Sequence, residues 1–307
     1  MLGPSIQAPA LRRAAGGHLP SALPSVALEG RRYYADRILG SGTAGVVLRY
    51  CTPEGDAQLA VKVVPRSARA AEDRACRVPE TPEVLNQRRL EWPEGTEGSS
   101  SCAGWAFYAM PCMAGDALSG GAGERASSNA AASRAARMVA TVARAVRRLD
   151  RLGFRYYDIK PANVMRTPQD AFVLGDLGSV ASTASTYPAP NSLQQVFGEY
   201  HHVAGIVARG ERAYQVNCVW AIVVSFLILA LPGRRVSLRG RESSVSAVFA
   251  FTASHVRDRA SPVAKYAVRL LDEVPGAAAV YLGGLVGALL EGRLEFRRAL
   301  ARIARLG

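Results

Sequence analysis

The feature that most constrains the fold of this chain is a glycine-rich segment between two β-prone runs, Leu39-Gly40-Ser41-Gly42-Thr43-Ala44-Gly45-Val46-Val47. Glycine lets a backbone turn tightly and approach phosphate oxygens without a clash from Cβ. In a dinucleotide-binding fold, the same glycine spacing leads from a strand into a helix. Here a β-branched run follows the glycines, so the segment predicts a turn between two strands that covers phosphates.

Short β-prone runs surround this segment and are separated by Gly, Pro and Asp turn signals. They predict an antiparallel meander with strands at 33–39, 46–50 and 58–64 and a further strand at 105–110. Residues 80–90 are predicted to form a short helix within this region.

The rest of the chain has mainly helical patterns. Apolar residues recur at spacings of four and three on one face of a long helix that ends at Gly153; they are Met138, Val142, Ala145, Leu149 and Leu152. Apolar helices follow at about 216–231, 243–256, 261–273 and 277–305. The fold class is therefore α+β, with a small antiparallel β lobe and a larger, mainly helical lobe. We expect a flexible leader at 1–30, the small lobe at 31–110 and the large lobe at 111–307.

Lysine is rare in this chain and occurs at informative positions. Only three lysines are present among 38 basic residues. Lys62 lies in the apolar run Leu59-Ala60-Val61-Lys62-Val63-Val64, and Lys160 lies in Asp158-Ile159-Lys160-Pro161-Ala162-Asn163. Lysine is a compact point charge, whereas arginine is a planar fork. The presence of lysine at these two positions therefore indicates that a compact charge is required there.

A third motif, Val173-Leu174-Gly175-Asp176-Leu177-Gly178, follows the segment around Lys160. Together with the glycine-rich loop and Lys62, the segment around Lys160 and this third motif resemble the eukaryotic-type protein kinase superfamily. The segment around Lys160 resembles the H-R-D-x-K-P-x-N catalytic loop of that family. The motif around Asp176 resembles its D-F-G, with Leu177 in place of phenylalanine. The resemblance extends more weakly over residues 33–235.

The resemblance implies ATP and Mg²⁺ as cofactors and assigns a role to each motif residue. Asp158 would accept the proton of the substrate hydroxyl, and Lys160 would neutralise charge on the transferred phosphoryl group. Asn163 and Asp176 would supply oxygens to Mg²⁺. Lys62 would hold the α- and β-phosphates while paired with a carboxylate, for which Glu83 is preferred and Glu80 is the alternative. The ATP-binding residues implied are Leu39, Gly40, Ser41, Gly42, Gly45, Val47, Ala60, Lys62, Glu83, Met110, Met113 and Asp116.

Several scaffolding groups of the family are replaced. Tyr156 and Tyr157 stand for the histidine and arginine of the catalytic loop, and Cys218 stands for a buried aspartate that ties this loop down. Ala204-Gly205-Ile206 occupies the A-P-E position. Without the arginine, a phosphorylated activation segment lacks its cationic partner, so activation by loop phosphorylation is not expected.

The function predicted is transfer of the γ-phosphate of ATP to serine or threonine of protein substrates. A pseudokinase that acts as a nucleotide-binding interaction module is the alternative, and a small-molecule kinase of related fold is the third reading. The retained aspartate, P-x-N and metal ligand, combined with the lost arginine, resemble kinases of large DNA viruses, particularly the conserved herpesviral protein kinases.

Composition excludes some other classes. The net charge is +13, but the arginines are spread along the chain without an RGG tract or an aromatic platform, so direct nucleic-acid binding is not expected. The five cysteines form no C-x-x-C pair. The most apolar stretch, 218–231, is too short for a bilayer span. We expect an intracellular, soluble protein, located in the host nucleus or cytoplasm and the virion tegument if it is viral.

Overall fold

The computed structural model describes residues 19–20, 23–42, 45–90, 102, 104–119, 127–183, 210–238, 241–244 and 261–307. The chain forms two compact units. The first takes in the described residues of Met1–Thr81 and Leu85–Met113, and the second takes in those of Pro82–Val84 and Ala114–Gly307. Along the chain, the first unit ends at Met113, and the short piece Pro82–Val84 is assigned to the second unit.

The first unit is built on a six-stranded antiparallel sheet with strand order β1-β2-β3-β4-β6-β5. Its strands are β1 Val26–Leu28, β2 Arg31–Gly42, β3 Gly45–Cys51, β4 Gln58–Pro65, β5 Arg88–Leu90 and β6 Trp105–Pro111. Along β3, Val46, Leu48 and Tyr50 are buried while their neighbours are half-buried, which is the period-two alternation of a strand with one core face. The predicted antiparallel meander is thus confirmed.

The sheet begins earlier than the sequence predicts. β1 lies inside the predicted leader 1–30 and pairs with β2, with Val26 opposite Tyr33. Leu19 is also buried in the core of this unit. These apolar side chains cover one edge of the sheet core, so residues 26–28 were wrongly assigned to the leader. Residues 1–18 and 21–22 lie outside the described residues.

The helix of the first unit precedes the position predicted for it. α1 spans Arg69–Ala75 and follows β4 after a single 3-10 turn at Arg66–Ala68. The predicted helix at 80–90 is wrong, because this segment forms turns and ends in β5. Pro79 and Pro82 explain the error, since each removes a backbone donor and restricts the residue before it.

The second unit is mainly helical. Its helices are α2 Ser128–Arg151, α3 Gly210–Ala230, α4 Ser261–Asp272, α5 Ala277–Leu290 and α6 Phe296–Ile303. The predicted helix at 277–305 is divided into α5 and α6 at Gly292, which has a φ of +70°. The helix predicted at 243–256 is contradicted at 243–244, which lie in a strand, and its remainder falls outside the described residues.

Short strands accompany these helices. They are β7 Gly115–Asp116, β8 Phe154–Tyr156, β9 Val164–Arg166, β10 Phe172–Leu174, β11 Val180–Ser182, β12 Arg235–Leu238 and β13 Arg241–Ser244. β9 and β10 form an antiparallel hairpin, and β8 pairs with β11. These pairs position the loops that carry the motif residues.

α2 has the amphipathic pattern that the sequence predicts. Met138, Val142, Ala145 and Leu149 are fully buried. The Ser127 side chain accepts a hydrogen bond from the Ala130 N–H at the first turn, and Gly153, with a φ of +81°, follows the last. Among the residues that the structure describes, no helix is long and apolar enough to span a membrane.

Gly45 is the glycine of the motif for which no other residue can substitute. A Cβ at this position would lie 2.2 Å from the carbonyl oxygen of Val63, whereas a Cβ at Gly42 would meet no atom within 4 Å. We therefore expect Gly45→Ala to lower the free energy of unfolding by about 2 to 4 kcal/mol, through overpacking and backbone strain. Urea denaturation of the purified variants measures the change.

Gly42→Ala is the matched control for Gly45→Ala. It should leave the free energy of unfolding unchanged or raise it by up to about 1 kcal/mol, because alanine restricts the unfolded chain. Equal losses in the two variants would contradict the steric explanation.

Candidate active site

Lys62 makes a buried ion pair with Glu72. Lys62 lies on β4 and Glu72 on α1, and the distance from Lys62 Nζ to Glu72 Oε1 is 2.6 Å. Only 8 % and 2 % of the two side chains are exposed. A charge removed from water is retained only when it is paired and hydrogen-bonded, so each of these groups fixes the other.

Gln87 holds the second oxygen of the same carboxylate. Its Nε2 donates to Glu72 Oε2 at 2.8 Å and to the Glu72 carbonyl oxygen at 3.2 Å. Gln87 is itself buried and directly precedes β5. Glu72 therefore presents one oxygen to Lys62 and the other to Gln87, and its carboxylate cannot rotate without losing a contact.

The next residue of α1 is anchored in the same way. Tyr108 on β6 donates its hydroxyl to Asp73 Oδ1 at 2.8 Å, and Arg89 on β5 lies 3.7 Å from the same oxygen. Burial of Tyr108, together with its hydrogen bond to Asp73, raises the pKa of its hydroxyl well above the ordinary value. Two adjacent side chains thus tie α1 to strands β5 and β6.

Glu83 is not the partner of Lys62. Glu83 belongs to the second unit, where its carbonyl oxygen accepts the N–H of Leu174 at 2.8 Å. The neighbouring Val84 forms an isolated parallel bridge with Leu174. The prediction was wrong because it relied on a helix at 80–90, whereas the helix that packs beside β4 is α1.

The glycine-rich segment joins β2 to β3 as predicted. Gly42 pairs with Gly45, Ser41 with Val46 and Gly40 with Val47, and Leu39 is exposed. Val47 in turn lies opposite Lys62 on β4, which places the lysine one strand away from the loop. Thr43 and Ala44 at the tip of the loop lie outside the described residues.

The remaining predicted nucleotide contacts lie on β4, β6 and β7. Ala60 is buried and lies opposite Met110, and Met113 follows β6 by two residues. Asp116 is on β7, where its Oδ1 accepts the N–H groups of Leu118 and Ser119 at 3.0 and 2.7 Å. Because this carboxylate closes a turn in the structure, its role near a ribose stays a prediction.

Asp158 is the centre of the second group of motif residues. It is 5 % exposed, and its Oδ2 accepts hydrogen bonds from Lys160 Nζ and Asn163 Nδ2, each at 2.8 Å. Among the described residues, its Oδ1 has no hydrogen-bond partner. A buried carboxylate oxygen without a donor is rare, and it has the chemistry of an acceptor for a hydroxyl group.

Tyr156, which stands where the kinase motif has a histidine, braces the loop of Asp158 through its hydroxyl. Its hydroxyl donates to the carbonyl oxygen of Gly175 at 3.0 Å and accepts from Asn163 Nδ2 at 3.1 Å. Complete burial, followed by the nearby carboxylates of Asp158 and Asp176, raises the pKa of Tyr156, so the hydroxyl keeps its proton. Tyr156 therefore links Asn163 to the residue that precedes Asp176.

Asp176 has a backbone conformation that is uncommon for a residue other than glycine. Its φ is 47° and its ψ is 60°, in the left-handed region, immediately before a 3-10 turn at Leu177–Ser179. Aspartate tolerates this region better than most residues, and such conformations are frequent at functional sites. The preceding Gly175 donates its N–H to the carbonyl oxygen of Asn163 at 2.7 Å, which links the two predicted metal ligands through the backbone.

Aromatic packing surrounds the position of the missing arginine. The ring of Tyr157 lies edge-on to Tyr214 on α3, with 5.2 Å between centroids, and Tyr214 lies edge-on to Phe296 at 5.9 Å. Arg155 lies over the Tyr214 ring and 3.6 Å from Glu211. The loop that carries Asp158 therefore contacts α3 through the ring of Tyr157, at the position where the kinase motif has an arginine.

Cys218 does not act as the missing aspartate does. Burial, with a smaller contribution from Asp150, raises the pKa of this thiol far above its ordinary value. The thiol is therefore neutral at physiological pH and accepts hydrogen bonds only weakly. A neutral sulfur here cannot provide the strong acceptor that a buried carboxylate would provide.

The chemistry of the motif residues suits Mg²⁺. All three side-chain contacts of Asn163 involve Nδ2, which leaves its amide oxygen for a cation. The part of the chain that the structure describes contains no cluster of three or more His, Cys, Asp or Glu side chains with metal-binding geometry. Amide and carboxylate oxygens are the ligand type that Mg²⁺ prefers, and this ion commonly takes one or two of them from protein and completes its shell with phosphates and water.

Comparison with known families identifies the class of this protein. The model of the protein kinase domain matches residues 33–236, which is more than half of the chain. The chain therefore belongs to the protein kinase superfamily of eukaryotic type, as its motifs predict. A search of curated proteins finds no match to the chain.

Removal of the Gln87 amide should weaken the first unit. In Gln87→Leu, Glu72 Oε2 stays buried and loses its donor, so we expect the free energy of unfolding to fall by about 1 to 3 kcal/mol. Urea denaturation measures this change. Arg88→Gln at the next, exposed position is the control and should be neutral within about 0.5 kcal/mol. A neutral Gln87→Leu would show that the amide does not hold the carboxylate.

Removal of the Tyr156 hydroxyl should weaken the second group of motif residues. Tyr156→Phe keeps the ring but leaves the Gly175 carbonyl without its donor, so a loss of about 1 to 3 kcal/mol in unfolding free energy is expected. Tyr50→Phe is a matched control, because the Tyr50 hydroxyl is equally buried and has no partner among the described residues. That control should be neutral or stabilising, and the reverse order of the two effects would refute the bracing role.

Proposed function

We propose that this protein is an ATP-dependent serine/threonine protein kinase that transfers the γ-phosphate of Mg-ATP to hydroxyl groups of protein substrates. The observation that carries the proposal is the state of Asp158. One carboxylate oxygen is fixed by Lys160 and Asn163, and the other is buried without a partner among the described residues. A positioned acceptor of this kind is what proton removal from a hydroxyl requires.

The proposed reaction assigns a role to each residue around Asp158. Asp158 accepts the proton as the substrate oxygen bonds to the γ-phosphorus, while the bond from that phosphorus to the bridging oxygen breaks and releases ADP. Lys160, whose ammonium lies 2.8 Å from Asp158, neutralises negative charge on the transferred group. A lysine two residues after the aspartate is typical of the serine/threonine enzymes of this superfamily.

The proposed phosphate and metal contacts use residues with matching chemistry. Lys62, held by Glu72, would bind the α- and β-phosphates, and the glycine-rich segment from Leu39 to Val47 would cover them. The oxygens of Asn163 and Asp176 would hold Mg²⁺, which would neutralise the charge that develops on the phosphates. The pairing of Lys62 with Glu72 supports this assignment, since a solvated lysine of the sheet would need no buried carboxylate.

The runner-up is a pseudokinase that binds nucleotide without transferring phosphate. Its specific support is the eroded scaffold, in which Tyr157 replaces the arginine and a neutral Cys218 replaces an aspartate. Against it stands the retention of every group predicted to touch phosphate or metal. The third reading, a small-molecule kinase, has no feature of its own in the described residues.

Substitution of the proposed catalytic groups tests the function. Asp158→Asn and Lys62→Met should each lower the rate of phosphoryl transfer from labelled ATP to a mixed protein substrate by about 100-fold or more, because a positioned base or a phosphate-binding charge is lost. Glu72→Gln should lower the rate as well, whereas Glu83→Gln should leave it unchanged. Unfolding curves of each variant show that the loss arises in a folded protein.

The same experiment separates the alternatives. Binding of Mg-ATP by the unaltered protein, seen as a rise in Tm, without transfer to any protein would favour the pseudokinase. Transfer to a sugar or nucleoside but never to protein would favour the small-molecule kinase. Undiminished transfer by folded Asp158→Asn would sink the proposed mechanism.

The assignments of partners, viral origin and location in the cell are inferred from the sequence alone. We propose protein substrates as partners, without a direct role for nucleic acid. The assignment to herpesviral kinases, with a location in the host nucleus, cytoplasm or tegument, depends on the motif departures and stays a prediction.

A further inference from the structure

α2 carries a row of arginines along its exposed side. Arg144, Arg148 and Arg151 are separated by four and three residues, so they share one face of the helix. All three are exposed, and Arg147 beside them is half-buried. The opposite face of α2 is buried in the core of the second unit, so these side chains define its outer surface.

α6 and the turn that follows it carry a second row with the same spacing in sequence. Arg298 and Arg302 on α6 and Arg305 in that turn are separated by four and three residues, and all are exposed. Arg297 is exposed on the flank of α6. The buried side of this helix consists of Phe296, Ala299, Leu300 and Ile303.

Three contacts show that α2 and α6 pack side by side in antiparallel directions. Arg297 NH2 lies 3.8 Å from Asp150 Oδ2, near the end of α2. Arg144 NH1 donates to the carbonyl oxygen of Ala304 at 3.0 Å. A Cβ on Gly307 would lie 2.7 Å from the Cα of Arg137, nearer the start of α2. As residue numbers rise along α6 and the residues after it, the numbers of the neighbouring residues on α2 therefore fall.

The two rows consequently join into one surface, which we call the arginine band. It consists of Arg144, Arg147, Arg148, Arg151, Arg297, Arg298, Arg302 and Arg305. Among the acidic residues of α2, α6 and the ends of these helices, only two contact the arginine band. Asp150 lies near Arg297, and Glu295 lies 3.4 Å from Arg298.

Six of the eight arginines of the arginine band make no ion pair with a described residue, and four of these six have no side-chain partner there at all. Within the described part of the chain, Arg147, Arg148, Arg151 and Arg305 make no side-chain hydrogen bond and no ion pair. Arg302 lies over the ring of Tyr281 at 4.5 Å, and Arg144 bonds to Thr141 and to the Ala304 carbonyl oxygen. The band therefore concentrates positive charge that the described residues do not neutralise, and the proposed kinase chemistry makes no use of it.

We propose that the arginine band is a docking surface for an acidic segment of a protein partner, with Asp or Glu at alternate positions. Arginines four and three residues apart on a helix are separated by about 6 and 4.5 Å along its axis. Side chains on one face of an extended peptide are separated by about 6.6 Å, so successive carboxylates can each meet an arginine. Guanidinium and carboxylate also pair in a bidentate manner.

The dimensions of the band favour a peptide over a nucleic acid. The row on α2 is about 10 Å long, which spans only about three steps of a duplex. Among the described residues, the band contacts one aromatic ring, that of Tyr281 beneath Arg302, and a single ring does not form a platform for stacking successive bases. Carboxylates at every second position of a short segment match this length directly.

Fluorescence anisotropy with the full chain tests the docking surface. The probe is a labelled peptide of alternating glutamate and serine, and a peptide of glutamine and serine is its uncharged counterpart. The variant R148Q/R151Q/R305Q removes three arginines that have no partner among the described residues. We expect it to bind the acidic probe about 10-fold or more weakly at low ionic strength, because three charge contacts are lost.

A second triple variant controls for net charge. R66Q/R77Q/R88Q removes three exposed arginines of the first unit that also lack a described partner, and it should weaken binding by less than about 2-fold. Equal losses in the two triples would overturn the proposal, because the probe would then sense bulk charge. Tighter binding of a DNA duplex or of anionic lipid vesicles than of the peptide, with the same dependence on the band, would overturn it too.

Single variants keep the test decisive if the triple variant fails to fold. R148Q on α2 and R305Q in the turn after α6 should each weaken binding of the acidic probe by about 2-fold, at an unchanged Tm. No loss in either single variant would overturn the proposal, since the two helices would not share a binding surface.

Discussion

The burial of Lys62 is the constraint on which the first unit depends. An ammonium group withdrawn from water requires a carboxylate beside it, and that carboxylate requires donors for both of its oxygens. Glu72 meets the first need and Gln87 the second, at 2.6 and 2.8 Å. Because these residues come from β4, α1 and the start of β5, one charge fixes the relative positions of three segments. The contacts of Asp73 with Tyr108 and Arg89 reinforce the same arrangement.

In the second unit, the buried carboxylate of Asp158 also requires hydrogen-bond donors, but only one of its oxygens has them among the described residues. Lys160, Asn163 and Tyr156 form a continuous hydrogen-bonded group, yet one oxygen of Asp158 is left over. Of the departures from the family, Tyr156 lies within this group, whereas Tyr157 and Cys218 lie outside it, and the losses are partly offset. Tyr156 braces the loop through its hydroxyl, and Tyr157 packs on Tyr214. Scaffolding that depends on charge elsewhere in the superfamily thus depends here on rings and a phenol.

Local patterns were sufficient to predict much of the fold. β-prone runs between turn signals located strands β2, β3, β4 and β6, and the spacing of four and three located the buried face of α2. The motifs placed Lys62 on a strand and Asp158, Lys160 and Asn163 together in one loop. Failures occurred where the local signal was weak: β1 and β5 have only three residues each, and α1 has seven. Elements so short are decided by the partners against which they pack.

The sequence by itself therefore determined the class of the protein, its main strands and its longest helix, because each depends on a few neighbouring positions, and it supplied the motif residues on which the proposed chemistry rests. Only the tertiary structure decided which carboxylate meets Lys62, since Glu72, Glu80 and Glu83 all follow β4 and differ in where packing carries them. It also decided that Gln87 supports that carboxylate and that arginines of α2 and α6 form one surface. Those relations join residues far apart in the chain, and no local pattern encodes the distance between them.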